Sequence, residues 1–71
     1  MKITVKTYEP HEKEVIINFN QGATMKDVMK KLKIKAVDDY ALLLDGLSVK
    51  DLSTVLKDGV KVIVLPRLMG G

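Results

Sequence analysis

One stretch of apolar residues at helical spacing stands between segments in which apolar and polar residues alternate. Alternation at every second position, over residues 3–7 and again over residues 60–65, is typical of strands with one face against a core. Apolar residues within 25–32 recur at intervals of three and four, which indicates an amphipathic helix. Because 71 residues can build only one small core, the helix must pack on a sheet made by the strands.

The first half of the chain predicts a hairpin followed by the helix. Strands over about residues 2–8 and 15–19 flank a polar turn with a proline, and Ile16 falls on the outer face of the second strand. The helix is predicted over residues 25–34. Thr24 with Asp27 forms a capping box in which aspartate replaces the usual glutamate.

The second half predicts the remaining strands and the topology. A strand over residues 40–44 ends at a tight Asp45-Gly46 turn, and a short strand near residues 47–49 returns from it. The last strand covers residues 60–65. Placing it parallel to the first strand, with the right-handed crossover that chains prefer, closes one core. The predicted fold class is α+β, a β-grasp with a mixed sheet of four to five strands packed on one helix.

Composition excludes several kinds of site. The chain has no cysteine, which excludes disulfides, thiolate metal sites and a cysteine nucleophile. Its single histidine, His11, lies in a polar turn, so it cannot supply a catalytic triad or a multi-histidine metal site. We therefore predict no catalytic residue, no metal and no bound cofactor. The net charge of +3 is modest and no signal peptide is visible, so we expect a cytoplasmic monomer without a nucleic-acid or membrane partner.

The C-terminal segment, residues 65–71, is the strongest functional candidate. Glycine has no Cβ, so Gly70 and Gly71 can pass through a channel too narrow for side chains, and the terminal carbonyl is open to attack. Taken alone, the glycines are better explained as an ordinary frayed terminus. The apolar strand and the proline that precede them are what favour a functional segment. We predict a β-grasp domain over residues 1–65 and a flexible tail over residues 66–71.

These features resemble ubiquitin and, in size and short loops, the prokaryotic ubiquitin-like sulfur carriers of the ThiS and MoaD type and the small archaeal modifier proteins. The resemblance covers essentially the whole chain. It is most specific at residues 1–7, at residues 24–28, at Asp45-Gly46 and at residues 65–71.

The resemblance implies a carrier rather than a catalyst. A ubiquitin-activating type of enzyme would use ATP and magnesium to adenylate the carboxylate of Gly71. Sulfur transfer would then give a thiocarboxylate for a sulfur-accepting enzyme, or a lysine of a target protein would attack to form an isopeptide bond. Both outcomes, and the pathway (molybdopterin, thiazole or tRNA thiolation), stay open at this point.

The resemblance also indicates residues that a partner would recognise. Arg67 stands four residues before the last glycine, where the tail of ubiquitin also has an arginine, and its guanidinium suits a bidentate pair with an acidic partner. The alternative is a solvated arginine. Pro66 and Met69 depart from the ubiquitin tail, which favours a prokaryotic partner.

A second recognition surface is predicted on the sheet face opposite the helix. Period-two counting places Leu43, Ile63 and Leu65 there, with Ile16 as a candidate neighbour. Leu65 belongs to this face only if the strand keeps its pleat up to Pro66. Two rival functions stay open: a non-covalent β-grasp adaptor that binds through this face and, more weakly, an RNA-binding domain that uses the lysines of the helix.

Overall fold

The computed structural model describes residues 1–67, which form a five-stranded sheet covered by one α-helix. A short 3₁₀ turn, Val37–Asp39, leads into the third strand. The elements are β1 (Lys2–Thr7), β2 (Lys13–Asn18), α1 (Met25–Lys31), β3 (Tyr40–Leu44), β4 (Leu47–Val49) and β5 (Lys61–Pro66).

The sheet has the strand order β2-β1-β5-β3-β4 and is mixed. β1 pairs antiparallel with β2 and parallel with β5, while β3 pairs antiparallel with both β5 and β4. The parallel contact between the first and last strands sets Val5 beside Val62 in the centre of the sheet. The predicted β-grasp topology is therefore confirmed.

The core lies between the helix and the inner face of the sheet. The predicted helical stripe supplies Met25, Val28 and Met29, all of which are buried. No polar or charged side chain of residues 1–67 is buried with them. None of the helices in this range has the length and apolar character that crossing a membrane requires. The buried apolar residues are Ile3, Val5, Ala23, Met25, Val28, Met29, Leu42, Leu56, Val62 and Val64.

The helix begins where the sequence predicts, at the capping box. The Asp27 carboxylate accepts the backbone N–H of Thr24 at 2.8 Å and its hydroxyl at 3.3 Å. Two further helical N–H groups, those of Met25 and Lys26, donate to carbonyls of the loop before β5 at 3.0 and 2.9 Å. The first turn therefore has partners for donors that a helix cannot satisfy by itself.

The helix ends three residues earlier than predicted, at Lys31 rather than at Ile34. Lys33 adopts a left-handed backbone conformation with φ of 60°, and its N–H donates to the Lys30 carbonyl. The N–H of Ile34 donates to the carbonyl of Met29. These two bonds form a Schellman motif, and Ile34 then packs on the core as the apolar residue that accompanies such motifs. The prediction missed the stop because the motif here has lysine where glycine is usual.

Candidate functional site

The predicted site residues fall into two groups. Gly70 and Gly71, the predicted activation point, lie outside the described residues, so their role stays a prediction from sequence. Arg67, Leu43, Ile63 and Leu65 are described, and all four belong to or directly follow β3 and β5. Arg67, directly after β5, is the last of the described residues, and we call its position the exit point.

The chain remains attached to the sheet through Arg67. Pro66 is the last residue of β5 and lies opposite Tyr40. The next backbone N–H, that of Arg67, donates to the carbonyl of Asp39 at 2.8 Å. The Arg67 side chain donates through Nε to the carbonyl of Tyr40 at 3.2 Å. Pro66 and Arg67 thus continue the pairing with β3, because the antiparallel neighbour still offers carbonyls there.

The guanidinium of Arg67 is therefore only partly engaged in hydrogen bonds within the molecule. Its Nε is engaged within the molecule, but the side chain is exposed and a guanidinium has five N–H donors. The terminal nitrogens remain able to meet an acidic partner. Arg67 also lines a cleft of about 260 Å³ at the start of β3, together with Val37, Asp38, Tyr40, Leu42, Val49, Lys50 and Leu52.

Tyr40 connects this exit point to the hairpin loop between β1 and β2. Its hydroxyl donates to the carboxylate of Glu9 at 3.2 Å. That hydrogen bond, with smaller contributions from burial and from the charges of Glu9 and Asp39, raises the pKa of the Tyr40 phenol. This contact between Tyr40 and Glu9 was not predicted, and no local sequence signal could have paired residues so far apart in the chain.

The outer face of the sheet carries a contiguous apolar surface, which we call the outer patch: Ala41, Leu43, Ile63 and Leu65. Leu43 lies directly opposite Ile63, and Ala41 lies opposite Leu65, so the four side chains occupy two adjacent rows. All four are partly exposed. β5 keeps its pleat through Pro66, which is the condition that the sequence analysis set for Leu65 to lie on this face.

Charged residues border the outer patch. Lys6 lies beside Ile63 in the register; its Nζ is 2.8 Å from the Glu12 carboxylate and 5.3 Å from the centre of the Tyr8 ring. The hydrogen bond between Lys6 and Glu12 raises the pKa of the Lys6 ammonium and lowers the pKa of the Glu12 carboxyl. Because Glu12 is exposed and Lys6 is only partly buried, the pair contributes little to stability and mainly shapes the border of the patch.

Ile16 lies apart from this surface. It is on the outer face, as predicted, and 67% of its side chain is exposed. It faces Thr4, however, which in turn faces Lys61, so β1 and a charged residue separate it from the apolar rows. Alternation along the strand predicts the face on which Ile16 lies but not its distance from β5, because that distance depends on strand order.

Within residues 1–67, no three side chains of histidine, cysteine, aspartate or glutamate come together in a group that could hold a metal ion. The acidic residues near the exit point, Glu9, Asp38 and Asp39, are exposed. The described part of the candidate site thus consists of the outer patch and the position of Arg67 at the end of β5.

Comparison with solved structures gives matches over the full length of the chain. A chain of the complex of subunits 1 and 2 of molybdopterin-converting factor from Helicobacter pylori is 27% identical, with a TM-score of 0.69 and complete coverage of both chains. The ubiquitin of Caldiarchaeum subterraneum is 25% identical, with a TM-score of 0.70, covering 100% of this chain and 98% of that chain.

A more distant relative has the same fold. SAMP1 from Haloferax volcanii is 15% identical with a TM-score of 0.79, and both chains are completely covered. At this identity the likeness concerns the fold alone. No curated protein sequence matches the chain.

The family comparison is more specific than the structural one. The model of the ThiS family matches residues 1–71, which includes both the β-grasp body and the Gly70-Gly71 segment. Together with the topology described above, this match shows that the chain is a ubiquitin-like β-grasp protein and belongs to the ThiS family.

Proposed function

We propose that the carboxylate of Gly71 is activated by an ATP-dependent adenylating enzyme, and that the protein then acts as a sulfur carrier, a protein modifier or both. The observation that carries this proposal is the ThiS family match, which extends across residues 1–71. Similarity to a molybdopterin-converting factor chain and to an archaeal ubiquitin supports the same general kind of function.

The proposed chemistry takes place at the partner. The carboxylate of Gly71 attacks the α-phosphate of ATP and displaces pyrophosphate, which gives an acyl adenylate. Sulfide then displaces AMP and leaves a thiocarboxylate, or the amine of a lysine displaces AMP and leaves an amide. ATP and magnesium belong to the adenylating enzyme, and this protein contributes the acyl group. Since the step needs ATP, we expect the protein to act in the cytoplasm.

The geometry of the exit point limits how a partner can approach. Arg67 is fixed to β3 by a main-chain and a side-chain hydrogen bond. Four further residues, even fully extended, span at most about 14 Å. An enzyme that reaches the carboxylate of Gly71 must therefore contact the body of the protein near Arg67. The outer patch, which includes Leu65 two residues before Arg67, is the apolar surface available there.

A pyrophosphate-exchange assay tests the proposal. The chain, with a native C-terminus, is incubated with ATP, labelled pyrophosphate and the adenylating enzyme from the same genome. We expect exchange with the intact chain and none after deletion of Gly70 and Gly71. Met69→Ala is the matched control, since it alters the same segment but keeps both glycines, and it should retain exchange. Undiminished exchange by the deletion variant would overturn the proposal.

The second candidate function is a non-covalent adaptor, which the continuity of the outer patch favours. In this case Leu43→Asp or Ile63→Asp abolishes partner binding, because each places a charge in the centre of the apolar rows. Blocking the C-terminal carboxylate as an amide then changes nothing. The two functions are separated by the amide variant, which must lose all activity if Gly71 is activated.

A further inference from the structure

Tyr40, the first residue of β3, lies opposite Pro66 at the end of the sheet where the exit point lies. Residue pairs in antiparallel strands alternate between pairs that exchange hydrogen bonds and pairs whose backbone groups point apart. The N–H of Arg67 donates to the carbonyl of Asp39 at 2.8 Å, so the adjacent pair of Tyr40 and Pro66 is of the second kind. The Tyr40 carbonyl therefore points away from β5, and the missing N–H of Pro66 removes no hydrogen bond to β3.

The side of β3 to which this carbonyl points has no strand beside Tyr40 in the described part of the chain. β4 ends at Val49, which lies opposite Leu42, two residues further along β3. The carbonyl instead accepts a hydrogen bond from Nε of Arg67 at 3.2 Å. Arg67 is thus held by its main chain on one side of β3 and by its side chain on the other. A residue held at two points has few orientations, so these bonds set the direction of the backbone at the exit point.

The far end of the Tyr40 side chain is held by the loop between β1 and β2. The hydroxyl donates to the carboxylate of Glu9 at 3.2 Å, across 31 positions of the sequence. That bond, followed by burial, raises the pKa of the Tyr40 phenol, so the hydroxyl stays protonated and remains a donor. The side chain is partly buried against the core. It also lines two cavities, a groove of about 760 Å³ that includes Pro10 and the cleft of about 260 Å³ that includes Arg67.

The position of these bonds indicates what they can affect. The bond from Tyr40 to Glu9 is exposed, so it contributes little to the free energy of unfolding of the whole domain. Its effect is local, because it restrains the residue whose carbonyl holds Arg67. A change at the hydroxyl of Tyr40 is therefore expected to act on the exit point and not on the core.

We propose that Tyr40 is a positioning residue for the activation of Gly71: Glu9 holds its hydroxyl, and its carbonyl holds Arg67, so that the chain leaves the sheet in one direction. This inference rests on the proposed function. An enzyme that must reach the carboxylate then binds an exit point that is already ordered and does not have to order it on binding. Loss of the restraint should therefore raise KM for the chain and leave kcat unchanged.

Tyr40→Phe tests the proposal, because it removes the hydroxyl and keeps the ring in its packing. We expect the amide of Arg67 to exchange its hydrogen about threefold faster, measured by NMR, while amides in the centre of the sheet do not change. In the pyrophosphate-exchange assay, KM for the chain should rise about threefold with kcat unchanged. Thr54→Val is the matched control, since it also removes one exposed hydroxyl and its hydrogen bond, to the Asp51 carbonyl, and it should behave as the unaltered chain.

Variants of Glu9 identify the bond that is responsible. Glu9→Ala should reproduce the effect of Tyr40→Phe, and should also lower the pKa of the Tyr40 phenol towards its ordinary value in a spectroscopic titration. Glu9→Gln keeps an acceptor oxygen and should retain most of the original KM. Combining Glu9→Ala with Tyr40→Phe should add nothing further, because both remove the same interaction.

The outcomes separate this inference from the proposed function. Unchanged KM in Tyr40→Phe overturns the inference when the unaltered chain supports exchange, as does a fall in kcat alone or an equal effect of Thr54→Val. Unchanged protection of the Arg67 amide in Tyr40→Phe overturns it as well. Absence of exchange with the unaltered chain and its adenylating enzyme contradicts the proposed function, and the protection of the Arg67 amide then decides whether Tyr40 holds the exit point.

Discussion

At the scale of single residues, Arg67 shows how far sequence reasoning reaches. Its distance from the last glycine marks it as a candidate for recognition by a partner, and that role stays a prediction. Its contact with the Tyr40 carbonyl could not be predicted, because it depends on which strand lies beside β5. The same limit applies to Glu9, whose bond to Tyr40 joins a loop to a strand that is distant in the chain.

The ion pair beside the outer patch gives a prediction about pH. The hydrogen bond from Lys6 lowers the pKa of Glu12, so the folded protein holds this proton more weakly than the unfolded chain does. The contribution of the pair to stability is present above the unfolded pKa of Glu12 and is lost as the pH falls through the lower, folded pKa. Carboxyl NMR titration should show Glu12 below its ordinary value.

Lys6→Met is the matched variant for this titration, since it keeps the aliphatic stem and removes the ammonium. In that variant the pKa of Glu12 should return towards its ordinary value, while the pKa of Asp51, which is lowered by hydrogen bonds from Ser53, should not move. An unchanged Glu12 titration in Lys6→Met would show that the pair does not persist in solution.

At the scale of elements, residues close together in sequence show where the helix begins, but they do not show where it ends. Thr24 and Asp27 are three residues apart and form a capping box that sequence alone identifies. The end depends on Lys33, which takes a left-handed conformation normally given to glycine or asparagine. Lysine has a high helix propensity, so the sequence predicts that the helix continues through Lys33, although Lys33 is the residue at which it terminates.

This left-handed residue predicts a stabilising substitution. Lys33→Gly removes the steric cost of φ near 60° and should raise the free energy of unfolding by about 0.5–1 kcal/mol, after the entropic cost of glycine is subtracted. Lys31→Gly, which places glycine in the last helical turn instead, should lower it by about 1 kcal/mol. Urea denaturation measures both. Destabilisation by Lys33→Gly as large as that by Lys31→Gly would contradict the observed helix end.

At the scale of the whole molecule, the order of strands and helix was predictable because each element has its own period and the parallel closure of β1 on β5 leaves few alternatives. The function was not contained in that pattern. The β-grasp serves carriers, modifiers and adaptors alike, so only the C-terminal glycines and family membership distinguish among these functions. A groove of about 760 Å³ could not be predicted from sequence, because its lining comes from β1, the loop after it, β2, the helix end, β3 and β5.

If the carboxylate of Gly71 is the reacting group, the intact mass of the protein will show it. The chain is purified from its native cells without a C-terminal tag, and lysate from the same cells is digested to search for lysines that carry a Gly-Gly remnant. We predict a species that ends at Gly71 and is heavier by the difference between sulfur and oxygen, a Gly-Gly remnant on target lysines, or both. An unmodified carboxylate with no conjugates, in cells that express the adenylating enzyme, would contradict the account and favour the adaptor.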